Sequence, residues 1–355
     1  MVTDAHTVQR EIRSKADKGR GLSADRSALH HATRLVHRVC CLAGPTDFID
    51  EVRAENRTLR TAINRHDTPA LFDWLMAGLS YQGVSDRVAS GYMDEHGRAS
   101  WHEVETALAN KPSCPKLQSY WNFQGCGYHK TSRTCSEPDH IDHCPLPTHD
   151  LRNGRLNQTA YSLYLFIRDI AGNDPVRWIQ GQLASAAGTF DVNQMRSALV
   201  DPLRHVYGVS DKVLSMALSV LLVAAPRTMR HWVKIGYSMI AIDTLVHNFL
   251  VRTGILRRFD ADHPYGVACY RAGGCVDIVQ IVAEKIDASQ FNLRFPKAFP
   301  RFVQHAIWRY CAENGLDVCN GNRINDNARC DNVYCQVRGM CDRTALRKAM
   351  RPVTK

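Results

Sequence analysis

Two segments about thirty residues apart each place a chemically useful side chain at the start of an apolar helix. The first, VYGVSDK from Val206 to Lys212, contains a tight glycine hairpin and precedes an apolar run from Val213 to Val223. Lys212 is therefore predicted in the first turn of a helix, beside backbone amides that suit a phosphate group. The second, MIAIDT from Met239 to Thr244, predicts Asp243 as the N-cap of another helix. An amine and a carboxylate in these positions are candidates for covalent and acid–base chemistry.

The order of residues in both segments resembles the helix-hairpin-helix DNA glycosylase superfamily, in particular the endonuclease III group. The family hairpin runs roughly L-P-G-V-G-x-K-T-A, and this chain has VYGVSDKVL from Val206 to Leu214. The family's second helix opens V-D-T-H, and this chain has IDTLV from Ile242 to Val246. Tyr207 stands in place of the family's proline, and Ser210 in place of its second hairpin glycine. The spacing from lysine to aspartate is also longer than in endonuclease III.

The resemblance implies a DNA glycosylase with AP lyase activity, acting on double-stranded DNA that carries a modified base. The hairpin amides of Gly208 and Ser210 would bind phosphate while the target nucleotide is flipped out of the duplex. Lys212 would attack the sugar carbon and form a Schiff base, and the Asp243 carboxylate would stabilise the positive charge that develops on the sugar. A glycosylase that uses Asp243 alone and a DNA-binding module without catalysis are the alternatives. The base that is removed stays open.

Two further positions follow from the same comparison. In the resembled fold an early core helix ends near the residue that wedges into the duplex, and Arg168 occupies roughly that place, so it is a candidate DNA contact. An ion pair at the end of a helix is the alternative for this residue. His247 follows Asp243 by one helical turn and could orient the carboxylate, but a surface histidine is the expected role.

Nine of the 13 cysteines fall into two clusters, and the other four, Cys40, Cys41, Cys269 and Cys275, lie elsewhere. In a reducing compartment, which is expected here, clustered thiolates usually bind metal. The central cluster consists of Cys114, Cys126, Cys135 and Cys144. Its gaps of 11, 8 and 8 residues match no standard zinc finger, but the segment lacks periodicity and needs a ligand to hold a fixed shape. A structural zinc ion is the first expectation, followed by a second iron–sulfur cluster, a zinc site that combines Cys126 with a histidine, and four unligated thiols.

The carboxy-terminal cluster resembles the iron–sulfur loop, C-x6-C-x2-C-x5-C, that endonuclease III relatives carry after their last helix. Only the final gap, from Cys335 to Cys341, matches that spacing. Asn314 and Gly315 predict the end of a helix that begins near Phe299. Four thiolates suit either zinc or iron, so the ligands alone do not choose between them. The resemblance implies a [4Fe–4S] cluster. The expected ligands are Cys319, Cys330, Cys335 and Cys341, with Cys311 as a possible substitute for Cys319 or Cys330.

Composition agrees with a nucleic-acid partner. The 355 residues include 45 lysines and arginines against 35 acidic residues, so the net charge is +10 and the pI is near 9.0. Such a charge attracts polyanions with an affinity that falls as salt rises, although many basic proteins bind no nucleic acid. No secretory signal and no apolar run of membrane-spanning length is found in the sequence. A monomer without membrane contact is expected, in the cytoplasm with the nucleoid or in the nucleus.

Helical periodicity without strand alternation predicts an all-α fold. Residues 1–110 are expected to form a helical region that begins with a flexible basic arm over residues 1–25. Residues 111–150 form the cysteine- and histidine-rich insert, residues 151–310 the helix-hairpin-helix core, and residues 311–355 the terminal cysteine loop and tail.

Overall fold

The computed structural model describes residues 25–81, 86–97, 99–110, 112–151, 154–188 and 191–346. These residues are mostly helical, with one short antiparallel pair of strands, which confirms the all-α prediction. The basic arm predicted over residues 1–25 lies, apart from Asp25, outside the described residues. Among the described residues, no helix combines the length and apolar character that crossing a bilayer requires.

Within the described residues, the first eight α-helices and the two strands lie in the amino-terminal half of the chain. They are α1 (Arg26–Ala43), α2 (Phe48–Glu55), α3 (Arg57–Arg65), α4 (Thr68–Leu79), α5 (Asp86–His96), α6 (Trp101–Ala109), α7 (Tyr120–Phe123), β1 (Tyr128–His129), β2 (Thr134–Cys135) and α8 (Asn157–Asp169). The remaining helices are α9 (Pro175–Ala187), α10 (Val192–Leu203), α11 (Asp211–Ala224), α12 (Arg230–Ser238), α13 (Thr244–Arg252), α14 (Ile255–Arg258), α15 (Cys275–Ala283) and α16 (Pro300–Cys311).

The chain forms two compact units whose segments alternate along the sequence. Of the described residues, unit 1 contains those in 25–44, 242–286 and 305–346, and unit 2 contains those in 45–241 and 287–304. Lys212 and the central cysteines therefore belong to unit 2, whereas Asp243 and the carboxy-terminal cysteines belong to unit 1. The boundaries near residues 110, 150 and 310 that the sequence suggests divide the chain by motif rather than by compactness, and they stay a prediction.

Short polar signals set several helix starts. The Asp67 side chain accepts a hydrogen bond from the Ala70 amide at 3.1 Å at the start of α4. At the start of α6, Ser100 and Glu103 form a capping box, in which each side chain accepts a hydrogen bond from the other residue's amide. These contacts satisfy amide groups that the first turn of a helix leaves unpaired, so the helix boundaries follow from local sequence.

The core of unit 2 is built around two buried helices. Helix α11 is buried over most of its length from Val213 to Ala224, as the apolar run predicts, and packs against α2, α4 and α12. Helix α8 is buried from Asn157 to Ile167 and packs against α4, α6 and α7. The turns of the cysteine-rich insert add apolar side chains to the same core, namely Leu117, Tyr120, Phe123, Tyr128 and Leu146.

Candidate catalytic residues and metal centres

The hairpin between α10 and α11 forms as predicted, with Lys212 in the first turn of α11. Gly208 has φ +75°, a left-handed conformation that side chains disfavour, and a Cβ there would lie 3.0 Å from Thr159 Oγ1. The Tyr207 amide donates a hydrogen bond of 2.9 Å to Ser162 Oγ on α8. Lys212 itself is half-buried. The hairpin is thus fixed to the core of unit 2 on one side and presents exposed Gly208 and Ser210 on the other.

Ion pairs hold the two ends of the hairpin together. Arg204, which follows α10, lies 2.7 Å from Asp201 Oδ1 through Nη1 and 2.5 Å from Asp211 Oδ1 through Nε. The guanidinium thereby bridges the last turn of α10 and the first residue of α11. This bridge limits the freedom of the segment that carries Lys212.

Asp243 caps α13, which confirms the predicted position. Its Oδ1 accepts a hydrogen bond from the Val246 amide at 2.9 Å, and the residue is half-buried. The preceding residue is also fixed, because Tyr270 Oη accepts from the Ile242 amide at 2.8 Å and donates to the Ile242 carbonyl at 3.2 Å. The carboxylate therefore stands on a backbone held from both sides within unit 1.

His247 is completely buried, so the expectation of a surface histidine is wrong. Its ring faces a cluster that sequence reasoning missed, formed with His263, Cys269 and Cys275. One ligand atom from each of the four residues lies within 4.8 Å of the others, and the group could hold a metal ion. His247 Nδ1 is 3.4 Å from Cys275 Sγ and 3.6 Å from Cys269 Sγ, and His263 Nε2 is 3.3 Å from Cys275 Sγ.

Hydrogen bonds couple the two cysteines of this cluster to each other and to the histidines. The hydrogen bond from Cys275, together with those from His247 and His263, holds the pKa of Cys269 well below its usual range. The same hydrogen bond and burial raise the pKa of Cys275. The hydrogen bond to Cys269 raises the pKa of His263, whose Nδ1 donates to the Ala261 carbonyl at 2.6 Å. Two imidazoles and two thiols that face one another are an arrangement that suits a cation.

Four carboxy-terminal cysteines line one cavity in unit 1, and they are Cys319, Cys330, Cys335 and Cys341. Cys311 is not among the lining residues. It is fully buried at the end of α16 and donates a hydrogen bond that lowers the pKa of Cys319. The predicted ligand set stays a prediction, and Cys311 lies beside the cavity that its four members line.

Backbone amides point at the sulfurs of both four-cysteine sets. In the carboxy-terminal set the Arg343 amide donates to Cys341 Sγ at 3.3 Å, and the Asn332 amide donates to Cys330. In the central set, three cysteine sulfurs likewise accept a hydrogen bond from the amide of the residue two positions later. The pairs are Cys126 and Tyr128, Cys135 and Glu137, and Cys144 and Leu146. Such hydrogen bonds stabilise thiolate ligands and tune the metal that they hold.

Across the described ranges, the histidine–cysteine cluster around His247 is the single group of three or more ligand atoms within 4.8 Å of one another, so neither four-cysteine set brings three sulfurs that close together. Burial raises the pKa of the Cys144 thiol to about 11, so metal binding there would displace a proton.

A basic cavity of about 450 Å³ lies within unit 2, and five cationic side chains and one carboxylate line it. The cationic residues are Arg53, Arg227, Arg230, Lys234 and Arg294. Arg53 is buried and donates to the carbonyls of Val223 at 3.1 Å and Ala225 at 2.5 Å, where α11 ends. The excess of positive charge makes this cavity a candidate site for an anionic group.

Arg168 is held by protein contacts at the end of α8. Its Nη2 donates to the Gln118 carbonyl at 2.7 Å, and its Nε donates to Asp169 Oδ1 at 2.6 Å. Asp169 in turn accepts from the Tyr120 amide at 2.7 Å. These bonds connect α8 to the cysteine-rich insert, and the predicted DNA contact of Arg168 stays a prediction.

Comparison of the chain with protein-family models, with curated proteins and with solved structures gives no match. The functional argument therefore depends on the residues and geometry described above.

Proposed function

We propose that the protein is a DNA glycosylase with AP lyase activity, which removes a modified base from double-stranded DNA and then cuts the strand. The observation that carries the proposal is the start of α11. A left-handed glycine turn is followed at once by a long buried helix with a lysine in its first turn. This arrangement agrees with the hairpin motif that the sequence resembles.

The hairpin is suited to a DNA phosphate. Amides at the start of a helix carry partial positive charge, and α11 has 14 residues over which the backbone dipoles add. Gly208 and Ser210 are exposed, so a phosphate can approach their backbone closely. The basic cavity of unit 2 offers further cationic groups to a polyanion.

Lys212 is the proposed nucleophile. Its amine attacks the sugar carbon that carries the base, the bond from carbon to base breaks, and the base leaves with a proton. Loss of a second proton from nitrogen and opening of the sugar ring give the Schiff base. Elimination of the neighbouring phosphate then cuts the strand, and water releases the lysine.

Asp243 is the proposed carboxylate of the reaction. Positive charge develops on the sugar as the base departs, and a fixed negative charge lowers the energy of that state. The Tyr270 contacts and the start of α13 fix the backbone on which the carboxylate stands. This role needs charge, whereas the capping role needs only a hydrogen-bond acceptor.

We propose a [4Fe–4S] cluster on Cys319, Cys330, Cys335 and Cys341. The shared cavity and the amides directed at Cys330 and Cys341 support this set. For the central set, Cys114, Cys126, Cys135 and Cys144, we propose a structural zinc ion, with a second iron–sulfur cluster as the alternative. At both places the group supplies cross-links between segments that have little regular structure of their own.

Borohydride trapping on an abasic site tests the proposal without knowledge of the base. The parent protein and Lys285→Gln, which changes an exposed lysine of unit 1, are expected to give a covalent adduct. Lys212→Gln is expected to give none while it still binds DNA. The lyase proposal is wrong if the parent protein binds the abasic oligonucleotide but forms no adduct, and a glycosylase that relies on Asp243 alone or a binding module would then remain.

A further inference from the structure

We propose that His247, His263, Cys269 and Cys275 bind a structural zinc ion that fixes the backbone behind Asp243. The ligands come from separate places in unit 1. His247 lies in the middle of α13, His263 in the loop after α14, Cys269 in a short 3-10 turn (Val267–Tyr270), and Cys275 at the first residue of α15. None of the four belongs to the two cysteine clusters that the sequence suggests. The site is therefore a third metal centre.

The distances fit one tetrahedral zinc ion. Zinc–sulfur bonds of about 2.3 Å and zinc–nitrogen bonds of about 2.0 Å put a sulfur and a nitrogen ligand about 3.5 Å apart. Three of the four sulfur–nitrogen distances in the cluster are 3.3, 3.4 and 3.6 Å, and all four ligand atoms lie within 4.8 Å of one another. The four ligand atoms are therefore spaced as a single ion requires.

The donor set and its burial indicate a structural rather than a catalytic ion. Two thiolates and two imidazoles form a common structural zinc set, with no position left for water or substrate. His247, Cys269 and Cys275 are completely buried, and His263 is half-buried. Each side chain thus faces its partners rather than solvent.

The hydrogen bonds of His263 set the tautomer that a ligand needs. Its Nδ1 lies 2.6 Å from the Ala261 carbonyl and donates to it, so Nε2 is the ring nitrogen that would bind the ion. A second contact of this kind is usual for a histidine that binds metal. On His247 it is Nδ1 that faces both sulfurs, so Nδ1 would be the ligand atom, and with the ion bound the ring would carry its proton on Nε2.

The ion would connect the cluster to Asp243. His247 lies four residues after Asp243 on the same face of α13. Tyr270, next to Cys269, holds both polar groups of the Ile242 backbone. Binding of the ion would thus hold the loop against the start of α13 and keep the carboxylate in place. This consequence for catalysis rests on the proposed function, whereas binding of the ion does not.

Metal content tests the site itself. Zinc and iron are measured separately in the purified full chain, in His263→Ala and Cys269→Ser, and in Cys41→Ser as a control with an exposed cysteine outside the cluster. The parent protein and Cys41→Ser are expected to hold one more equivalent of zinc than the two cluster variants. His263→Cys, which provides a three-cysteine, one-histidine set, is expected to keep that zinc. Equal zinc in the parent protein and in folded cluster variants overturns the proposal.

A second measurement uses the parent protein and does not depend on the folding of any variant. A chelator is expected to make Cys269 and Cys275 newly reactive to an alkylating reagent, as mapped by peptide mass. It should also lower Tm, and added zinc, but not magnesium, should restore both properties. If peptide mapping instead finds Cys269 joined to Cys275 by a disulfide before chelation, the zinc site is refuted.

The effect on catalysis is measured as the rate of base release from an oligonucleotide that carries a modified base the parent protein removes, because base release is the step assigned to Asp243. Loss of zinc in His263→Ala is expected to lower this rate by about 100-fold, the scale of a displaced catalytic group, while DNA affinity stays unchanged. An unchanged rate would mean that the ion does not position Asp243. A parent protein that holds the zinc but traps no DNA would contradict the proposed function and leave the zinc site standing.

Discussion

At the scale of single residues, Asp243 combines two roles that one substitution can separate. Its Oδ1 caps α13, and its charge is the proposed contribution to base release. Asparagine caps helices as well as aspartate does but carries no charge. The capping contact can thus be kept while the charge is removed.

We expect Asp243→Asn to abolish base release without destabilising the protein. The free energy of unfolding should change by less than about 0.5 kcal/mol, because the cap is retained. Base release should fall by about 100-fold or more, because a fixed charge opposite the developing positive charge is lost. The measurement uses a panel of oligonucleotides that each carry one oxidised or alkylated base. Asp191→Asn, at the N-cap of α10, is the matched control, and equal activity of the two variants would contradict the role of Asp243.

Cys311 and Cys319 differ in their position relative to the carboxy-terminal cavity, which only Cys319 lines. We expect Cys311→Ser to keep its full iron content, since a hydroxyl can still donate to Cys319. Cys319→Ser should lose most of the iron of that cluster, because a ligand is removed. Iron and acid-labile sulfide per chain are the quantities to measure. Loss of iron in Cys311→Ser equal to that in Cys319→Ser would make Cys311 a ligand.

At the scale of elements, the hairpin before α11 depends on one glycine. Gly208 has a left-handed backbone that strains any added side chain, and a Cβ there would also require Thr159 Oγ1 to move by a few tenths of an ångström. The hairpin also depends on Arg204, which bridges α10 and α11. Phosphate binding is therefore expected to be sensitive to the shape of this segment.

We expect Gly208→Ala to distort the hairpin at a cost of more than about 1 kcal/mol. DNA affinity, measured by fluorescence anisotropy at fixed salt, should fall by about tenfold if a similar free energy is lost from binding. Gly181→Ala is the control, because this glycine lies inside α9 with no atom within 4 Å of the added carbon. Full DNA affinity in Gly208→Ala would mean that the hairpin does not bind the backbone of DNA.

The elements that sequence could predict are those set by neighbours along the chain. The glycine turn and apolar run predict α11, and the aspartate before α13 predicts its cap, because both depend on a few consecutive residues. Asn314 and Gly315 indicated the end of α16, which ends earlier, at Cys311. Gly315 instead serves a close approach, since a Cβ there would lie 2.1 Å from the Arg309 carbonyl oxygen.

The metal centre around His247 could not be predicted in the same way. Its ligands are separated by gaps of 15, 5 and 5 residues, which match no standard finger, and they meet only when α13, the following loop and α15 pack together. Cys269 and Cys275 lie outside both cysteine clusters, and the sequence has no further cysteine near them. The signal that could have found the site is a pair of cysteines outside the clusters, Cys269 and Cys275, with two histidines, His247 and His263, before it in the sequence.

At the scale of the whole molecule, two properties bear on the proposed function. The net charge of +10 favours a polyanionic partner, and part of the excess is concentrated around the basic cavity of unit 2. The chain also enters and leaves each unit more than once, so the proposed nucleophile and the proposed carboxylate belong to different units although only thirty residues separate them. A fragment that lacks either unit is therefore expected to lack one of the two proposed groups.

The central claim is that Lys212 forms the covalent bond to DNA, and the most direct measurement identifies the residue that is modified. The parent protein is trapped with borohydride on an abasic oligonucleotide, digested with nuclease and protease, and analysed by mass spectrometry. The account predicts that the sugar remnant is attached to the peptide that contains Lys212. A remnant on another lysine or on the terminal amine would contradict the account, even if the protein cuts DNA.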